Sequence, residues 1–109
     1  MTINDVVMAG IRHSCFPNCA YSFNNELVFI DEVAPGDKIT VDFSTLFTGH
    51  SVLFRCNCGC NGCRINILGF DQLPVYFQEK YLRLGMVPRE TLKSIDIQIN
   101  STKHTSNVR

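Results

Sequence analysis

Residues 56–64 read Cys56-Asn57-Cys58-Gly59-Cys60-Asn61-Gly62-Cys63-Arg64, four cysteines within nine residues. A second thiol patch, His13-Ser14-Cys15-Phe16-Pro17-Asn18-Cys19, lies upstream, and the two patches hold all six cysteines of the chain. A soft divalent cation such as zinc takes four thiolate or imidazole ligands at tetrahedral corners, with Zn–S near ~2.3 Å. Cys56, Cys58 and Cys63 can supply three corners from one tight loop, with Gly59 easing the turn. The fourth corner must come from Cys60 or from the upstream patch. In the second case the metal clamps two distant parts of the chain together. Local spacing alone leaves both arrangements open.

Six cysteines could instead pair as disulfides, as they do in small secreted domains. Cys-x-Cys-x-Cys places neighbouring thiols poorly for bridging one another. The opening residues carry Asp5 and a broken apolar run, without the basic lead and small-residue cleavage site of a signal peptide. The reading is therefore metal thiolates in an intracellular protein, cytoplasmic or, in a eukaryote, nuclear.

With 109 residues and 45% hydrophobic content, one domain is the most that the chain can build around a single core. No apolar run approaches the ~20 residues of a membrane span. Ten basic residues balance ten acidic ones, so no overall field exists to draw nucleic acid. The charge is unevenly spread. Glu26, Asp31, Glu32, Asp37 and Asp42 face only Lys38, while Lys80, Arg83, Arg89, Lys93, Lys103 and Arg109 outnumber Glu90 and Asp96. The acidic run reads as solvated loop faces, or as a rim for a basic peptide.

Periodicity divides the chain into a strand-rich part and a helical part. Residues 20–31 form a hairpin pattern, with Asn24-Asn25 as the turn and Leu27 to Ile30 as its second strand. Pro35-Gly36 marks the next turn. Lys38 to Phe43 alternates, with Ile39, Val41 and Phe43 on one face and Lys38, Thr40 and Asp42 on the other. Ser51 to Phe54 is a brief apolar strand leading into the cysteine loop. Beyond it, Asp71 is placed to cap a helix in which Leu73, Phe77, Tyr81 and Leu84 share a face, with Pro74 in its first turn and Gly85 at its end. The Phe77 and Tyr81 stripe reads as packing rather than as a ligand site. A second short helix starts around Pro88, with Leu92 and Ile95 inward. From Gln98 the polar composition predicts disorder. His50 and His104 read as surface residues. The fold class is mainly β with irregular loops plus C-terminal helices.

Three segments together resemble the C-terminal half of a SET domain with its post-SET extension, the protein-lysine methyltransferase family. Ile11-Arg12-His13-Ser14-Cys15-Phe16-Pro17-Asn18-Cys19 looks like the family's Asn-His-Ser-Cys-x-Pro-Asn segment. Gly36-Asp37-Lys38-Ile39-Thr40-Val41-Asp42-Phe43 looks like its Gly-Glu-Glu-Leu-Thr-Tyr-Asp-Tyr strand, and Cys56-x-Cys58-Gly59-x-x-x-Cys63-Arg64 fits its post-SET loop. Residues 65–81 resemble the tails of small stand-alone members. The resemblance implies a partial SET-type fold, with SET residues over 1–54, a cysteine loop over 55–70, a helical segment over 71–96 and a disordered tail over 97–109. It also implies that Cys15, Cys56, Cys58 and Cys63 surround one zinc, leaving Cys19 and Cys60 spare. Four thiolates leave no open position, so such a zinc is structural.

The family moves a methyl group from S-adenosylmethionine to a lysine amine. By resemblance, Arg12 and His13 stand at the cofactor-contacting Asn-His pair. Phe43 stands at the catalytic Tyr, without its hydroxyl. Loss of one preorganised polar group at a reacting centre costs on the order of 10²–10³ in rate. Tyr21 is the nearest other phenol in sequence, and nothing places it at the site. The family's Gly-x-Gly cofactor loop is not found in these residues. The expectation is a SET-related chain that is incomplete or inactive by itself, meeting a lysine-containing basic protein or a chain that supplies the other SET half. The alternative is a zinc-stapled peptide-binding module without catalysis. Neither reading involves nucleic acid or membrane.

Overall fold

Thr2 and Asp5 begin the ordered chain by closing on each other. The Asp5 N–H donates to Thr2 Oγ1 at 3.2 Å and the Thr2 N–H donates to Asp5 Oδ2 at 2.8 Å. This reciprocal cap starts helix α1, Ile3–Met8, which buries Val6. The Thr-x-x-Asp spacing was legible in the sequence, which otherwise showed only a broken apolar run here. The computed structural model describes residues 2–95.

Six short strands follow, paired two by two. β1, Arg12–His13, runs parallel to β4, Thr40–Val41, with Arg12 opposite Thr40 and His13 opposite Val41. β2, Cys19–Tyr21, is antiparallel to β3, Leu27–Phe29. Asn25 sits at φ 62 in the turn between them, the conformation for which an Asn-Asn pair is suited. β5, Phe54–Arg55, is antiparallel to β6, Asn66–Ile67, and these two strands form the stem of the cysteine loop. The Ser51–Phe54 strand therefore begins only at Phe54, and its partner strand was not foreseen.

The alternating segment 38–43 is also shorter than its pattern predicts. Only Thr40 and Val41 pair, because Asp42 turns the chain by accepting from the Ser44 N–H at 3.1 Å and capping a 3-10 helix, Phe43–Leu46. Ile39, Val41 and Phe43 do pack inward. Asp42, assigned to the solvent face, is 1% exposed instead.

Two apolar clusters form the core. The larger joins Val6, Ile11, Cys15, Cys19, Tyr21, Val41, Phe43, Cys56 and Ile67. The smaller joins Phe70, Leu73, Tyr81 and Val87, with Phe77, Leu92 and Ile95 packed against it. Helix α2, Val75–Arg83, begins after Pro74, and Gly85 at φ 68 follows its end. Asp71 does not cap it. Asp71 lies in a 3-10 helix, Phe70–Gln72, and its carboxylate accepts from the Gly49 N–H at 2.7 Å. Leu84, expected inward, is 47% exposed at the helix end. A further helical stretch covers 89–95. The tail expected to be disordered, and His104 within it, lie outside the described residues. Among those residues no helix is long and apolar enough to cross a membrane.

Gly69 lies against the backbone of Thr48 and Gly49. Its N–H donates to the Gly49 carbonyl at 2.8 Å, and a Cβ built on it would collide with the backbone of Thr48 and Gly49. Backbone cannot yield as a flexible side chain can, so Gly69→Ala is expected to cost ~1–3 kcal/mol. Urea unfolding of the variant would show it as a lowered midpoint with an unchanged slope.

Candidate metal centre

Four sulfur atoms meet where β1 ends and the β5–β6 loop folds back. The Sγ atoms of Cys15, Cys56, Cys58 and Cys63 all lie within 4.8 Å of one another. Cys15 Sγ stands 4.0 Å from Cys56 Sγ and 3.9 Å from Cys63 Sγ. A regular tetrahedron with bonds of ~2.3 Å has edges of about 3.8 Å, so the group is sized to chelate a metal ion such as zinc.

Local structure explains how two remote segments converge. β1 runs into Cys15 while pairing with β4, which fixes its direction into the core, and Cys15 is 1% exposed. Cys56 follows directly on β5, and the Cys63 N–H donates to the Cys60 carbonyl at 3.1 Å to close the tip of the loop. Gly59 and Gly62 take φ of 75 and 86 there, which only glycine adopts without strain. The loop is then tied to the upstream patch by the Arg64 N–H, which donates to Cys15 Sγ at 3.4 Å. Ile65 follows at φ 67, a rare setting for a β-branched residue and a sign that the tertiary contacts overrule local preference here.

The other two thiols lie apart. Cys60 is 3.8 Å from Ser14 Oγ, and Cys19 packs in β2 with no exposed surface. Burial pushes the Cys15 thiol up to about 11 and moves Cys56 upward as well. Cys58 moves the other way, down to about 6, because backbone N–H groups point at its sulfur. Thiols held protonated by burial must release protons to take a metal.

Behind the sulfurs lies a buried polar cluster that sequence reasoning missed. Asp42 receives Arg64 Nη2 at 2.6 Å and the Tyr81 hydroxyl at 2.9 Å. Arg64 Nη2 also donates to Ser44 Oγ at 3.1 Å, and its guanidinium carbon lies 5.7 Å from the centre of the Phe77 ring. Burial, and then the Asp42 charge, push the Tyr81 phenol well above its ordinary range. One carboxylate thus joins the cysteine loop to α2. The available signal was Asp42-Phe43-Ser44, an Asp followed two residues later by a small hydroxyl residue, which suits a helix cap better than the exposed face of a strand.

His13 turns its ring toward Phe43 and Phe54. The ring centroids stand 5.6 Å and 5.3 Å away, edge to face, and Phe43 and Phe54 are 6.0 Å apart. Its Nδ1 accepts from the Phe43 N–H at 3.0 Å, and Nε2 lies 3.6 Å from Cys15 Sγ. Burial lowers its pKa to about 4 against the opposing pull of Asp42, so the imidazole is neutral near pH 7. Arg12 is exposed, and with His13 and Phe43 it borders a concavity of ≈ 820 Å³ beside the thiol group. His50 is exposed, in keeping with a surface role.

The lining carries the cations Arg12 and Lys38 and, opposite to them in charge once metal is bound, the thiols of Cys56 and Cys58. No family model, no curated protein and no solved structure matches the chain. It is a small mixed β/α module with a four-cysteine cluster able to chelate a metal.

Proposed function

We propose that the chain is a binding module whose cysteine loop is stapled to the β1–β4 ladder by one zinc on Cys15, Cys56, Cys58 and Cys63. The carrying observation is the approach of all four sulfurs to within 4.8 Å, with one ligand contributed from a separate segment of the chain. A site filled by four thiolates holds shape and has no position for substrate. The partner in this reading is a lysine-containing basic protein or peptide that meets the exposed acids Glu26, Asp31, Glu32 and Asp37.

The finer reading places the module in a SET and post-SET lineage. What favours it is the order of the segments and the parallel pairing of Arg12–His13 with Thr40–Val41, which sets His13 beside Phe43. No step of methyl transfer is assigned to this chain, because Phe43 has no hydroxyl. A second chain bringing further strands would find open edges on each two-stranded ladder.

Elemental analysis and cobalt substitution test the staple. One metal per chain is expected, with the intense charge-transfer absorption of cobalt tetrathiolate. Cys15→Ser should weaken that band, while Cys60→Ser and Cys19→Ser should leave it unchanged. A Cys15→Ser spectrum identical to the unsubstituted one would remove the clamp. Tritiated-methyl assays on lysine peptides are expected to show no turnover.

A further inference from the structure

Strand β3 has one edge free of other strands, since among the described residues it pairs with β2 alone. At the two ends of that ladder the Ser22 N–H donates to the Glu26 carbonyl and the Ile30 N–H to the Asn18 carbonyl, both at 2.8 Å. Hydrogen-bonded and open pairs alternate along an antiparallel ladder, so Val28 bonds to Ala20 while Leu27 and Phe29 fall in the open pairs. The N–H and C=O groups of Leu27 and Phe29 therefore point away from β2, and no other described group takes them. Their side chains lie opposite Tyr21 and Cys19, which belong to the core, yet Leu27 is 42% and Phe29 67% exposed. The apolar face of the hairpin thus runs past the core to a bare edge. Acids stand at both ends of it. Glu26 precedes β3 and Asp31 and Glu32 follow it, all exposed and none in an ion pair with a described residue. Two cations lie near the hairpin. Arg89 is held at the turn, its guanidinium 4.6 Å from the centre of the Phe23 ring and 3.3 Å from Asn24 Oδ1, and Lys80 borders a hollow together with Asp31.

We propose that the free edge of β3 docks an extended basic peptide, which joins the hairpin as a third strand; this rests on the binding-module reading and names its surface. The guest's backbone takes the four free groups of Leu27 and Phe29, and apolar side chains on one of its faces cover theirs. Its cations belong where the acids are. Glu26 and Asp31 are five residues apart, about 17 Å along a strand at ~3.4 Å per residue, so Lys or Arg at either end of a four-residue extended core reaches both. In antiparallel addition these charges fall directly across from Glu26 and Asp31, where opposite charges stabilise a strand pair and like charges destabilise it. A second copy of this chain meets the unfavourable case. Self-pairing centred on Phe29 sets Glu26 opposite Glu32, and centring on Val28 sets Glu26 opposite Ile30, next to Asp31. Arg89 and Lys80 offset part of the negative charge, but Arg89 is already engaged by Phe23 and Asn24 at the turn. Three acids against these two cations leave the strip acidic.

The end-capped peptide Lys-Thr-Val-Thr-Val-Lys has this pattern and serves as the probe, titrated into the isotopically labelled full chain. Saturable amide shifts are expected at residues 26–32, with slowed hydrogen exchange at Leu27 and Phe29. Glu26→Gln and Asp31→Asn should each weaken binding roughly two- to fivefold, the range for an exposed ion pair. Both side chains are exposed, so the fold should survive. The same peptide N-methylated at its two valines keeps charge and apolar surface but loses the two donors that face the Leu27 and Phe29 carbonyls. It should bind at least about tenfold more weakly. Equal binding of the N-methylated peptide overturns strand addition, and so does the absence of saturable shifts at millimolar peptide. Leu27 and Phe29 amides already protected before peptide is added would show the edge occupied and overturn it too, whether sedimentation finds a monomer or a dimer. Saturable shifts elsewhere, with none at residues 27–29, would overturn the docking strip while leaving the chain a peptide binder. Zinc content of the same sample reports on the thiol cluster separately.

Discussion

With the proposed zinc staple in place, stripping the metal with a strong chelator is expected to abolish cooperative unfolding of this chain. Structural zinc sites contribute apparent binding free energies of ~10–16 kcal/mol near neutral pH, and a whole small domain is stable by only about 5–15 kcal/mol. The ladders here are two or three residues long, and the larger core cluster includes Cys15 and Cys56 themselves. Thermal melts with and without chelator, followed by near-ultraviolet circular dichroism, would measure the loss. An unchanged melt would mean that the loop holds itself without metal. Acid should act in the same direction. Cys15 at about 11 and the raised Cys56 must give up protons when metal binds, so zinc affinity falls as pH falls. Below about pH 6, Cys58 also begins to hold its proton, and the decline should steepen. Metal-bound thiolates have depressed effective pKa values in the folded state, and the stability they contribute is accordingly present at high pH and lost on acidification. A competition titration between pH 5 and 8 would show the break in slope.

Asp42→Ala is expected to destabilise the fold by ~3–5 kcal/mol, the usual cost of breaking a buried ion pair from one side. The carboxylate is 1% exposed and serves the Arg64 guanidinium, the Tyr81 hydroxyl and the Ser44 N–H together. Removing it leaves a largely buried guanidinium uncompensated. A second variant separates the charge from the packing. Arg64→Met added to Asp42→Ala should recover part of the loss, since removing both partners costs less than removing one. Denaturant titration of the four proteins in the cycle would give the coupling. A change below ~0.5 kcal/mol for Asp42→Ala, typical of surface sites, would show that the cluster carries no weight.

Much of the local structure was written in the sequence because it depends on near neighbours. Asn24-Asn25 supplied a turn that tolerates positive φ, Gly85 ended a helix, and Phe77 and Tyr81 fell on one face of it. The errors have one source. Asp42 alternates with Val41 and Phe43 and so reads as the outward face of a strand, yet its partners Arg64 and Tyr81 lie 22 and 39 residues away. Asp71 reads as a helix cap, yet its partner is the Gly49 N–H across the fold. A polar group is placed by whichever donor the tertiary structure brings to it, and period alone carries no information about that donor.

The thiol group divides in the same way. Cys56, Cys58 and Cys63 were marked by their spacing alone, because ligands within one short loop can converge whatever the rest of the chain does. The choice between Cys15 and Cys60 as the fourth member could not be made by spacing, and only the resemblance favoured Cys15. The tertiary structure brings in Cys15, since the parallel β1–β4 pairing aims it at the loop, while Cys60 lies apart near Ser14. The pairing of Arg64 with Asp42 was likewise invisible in a chain whose charges sum to zero. Composition records how many charges a protein has, and only the fold decides which of them meet.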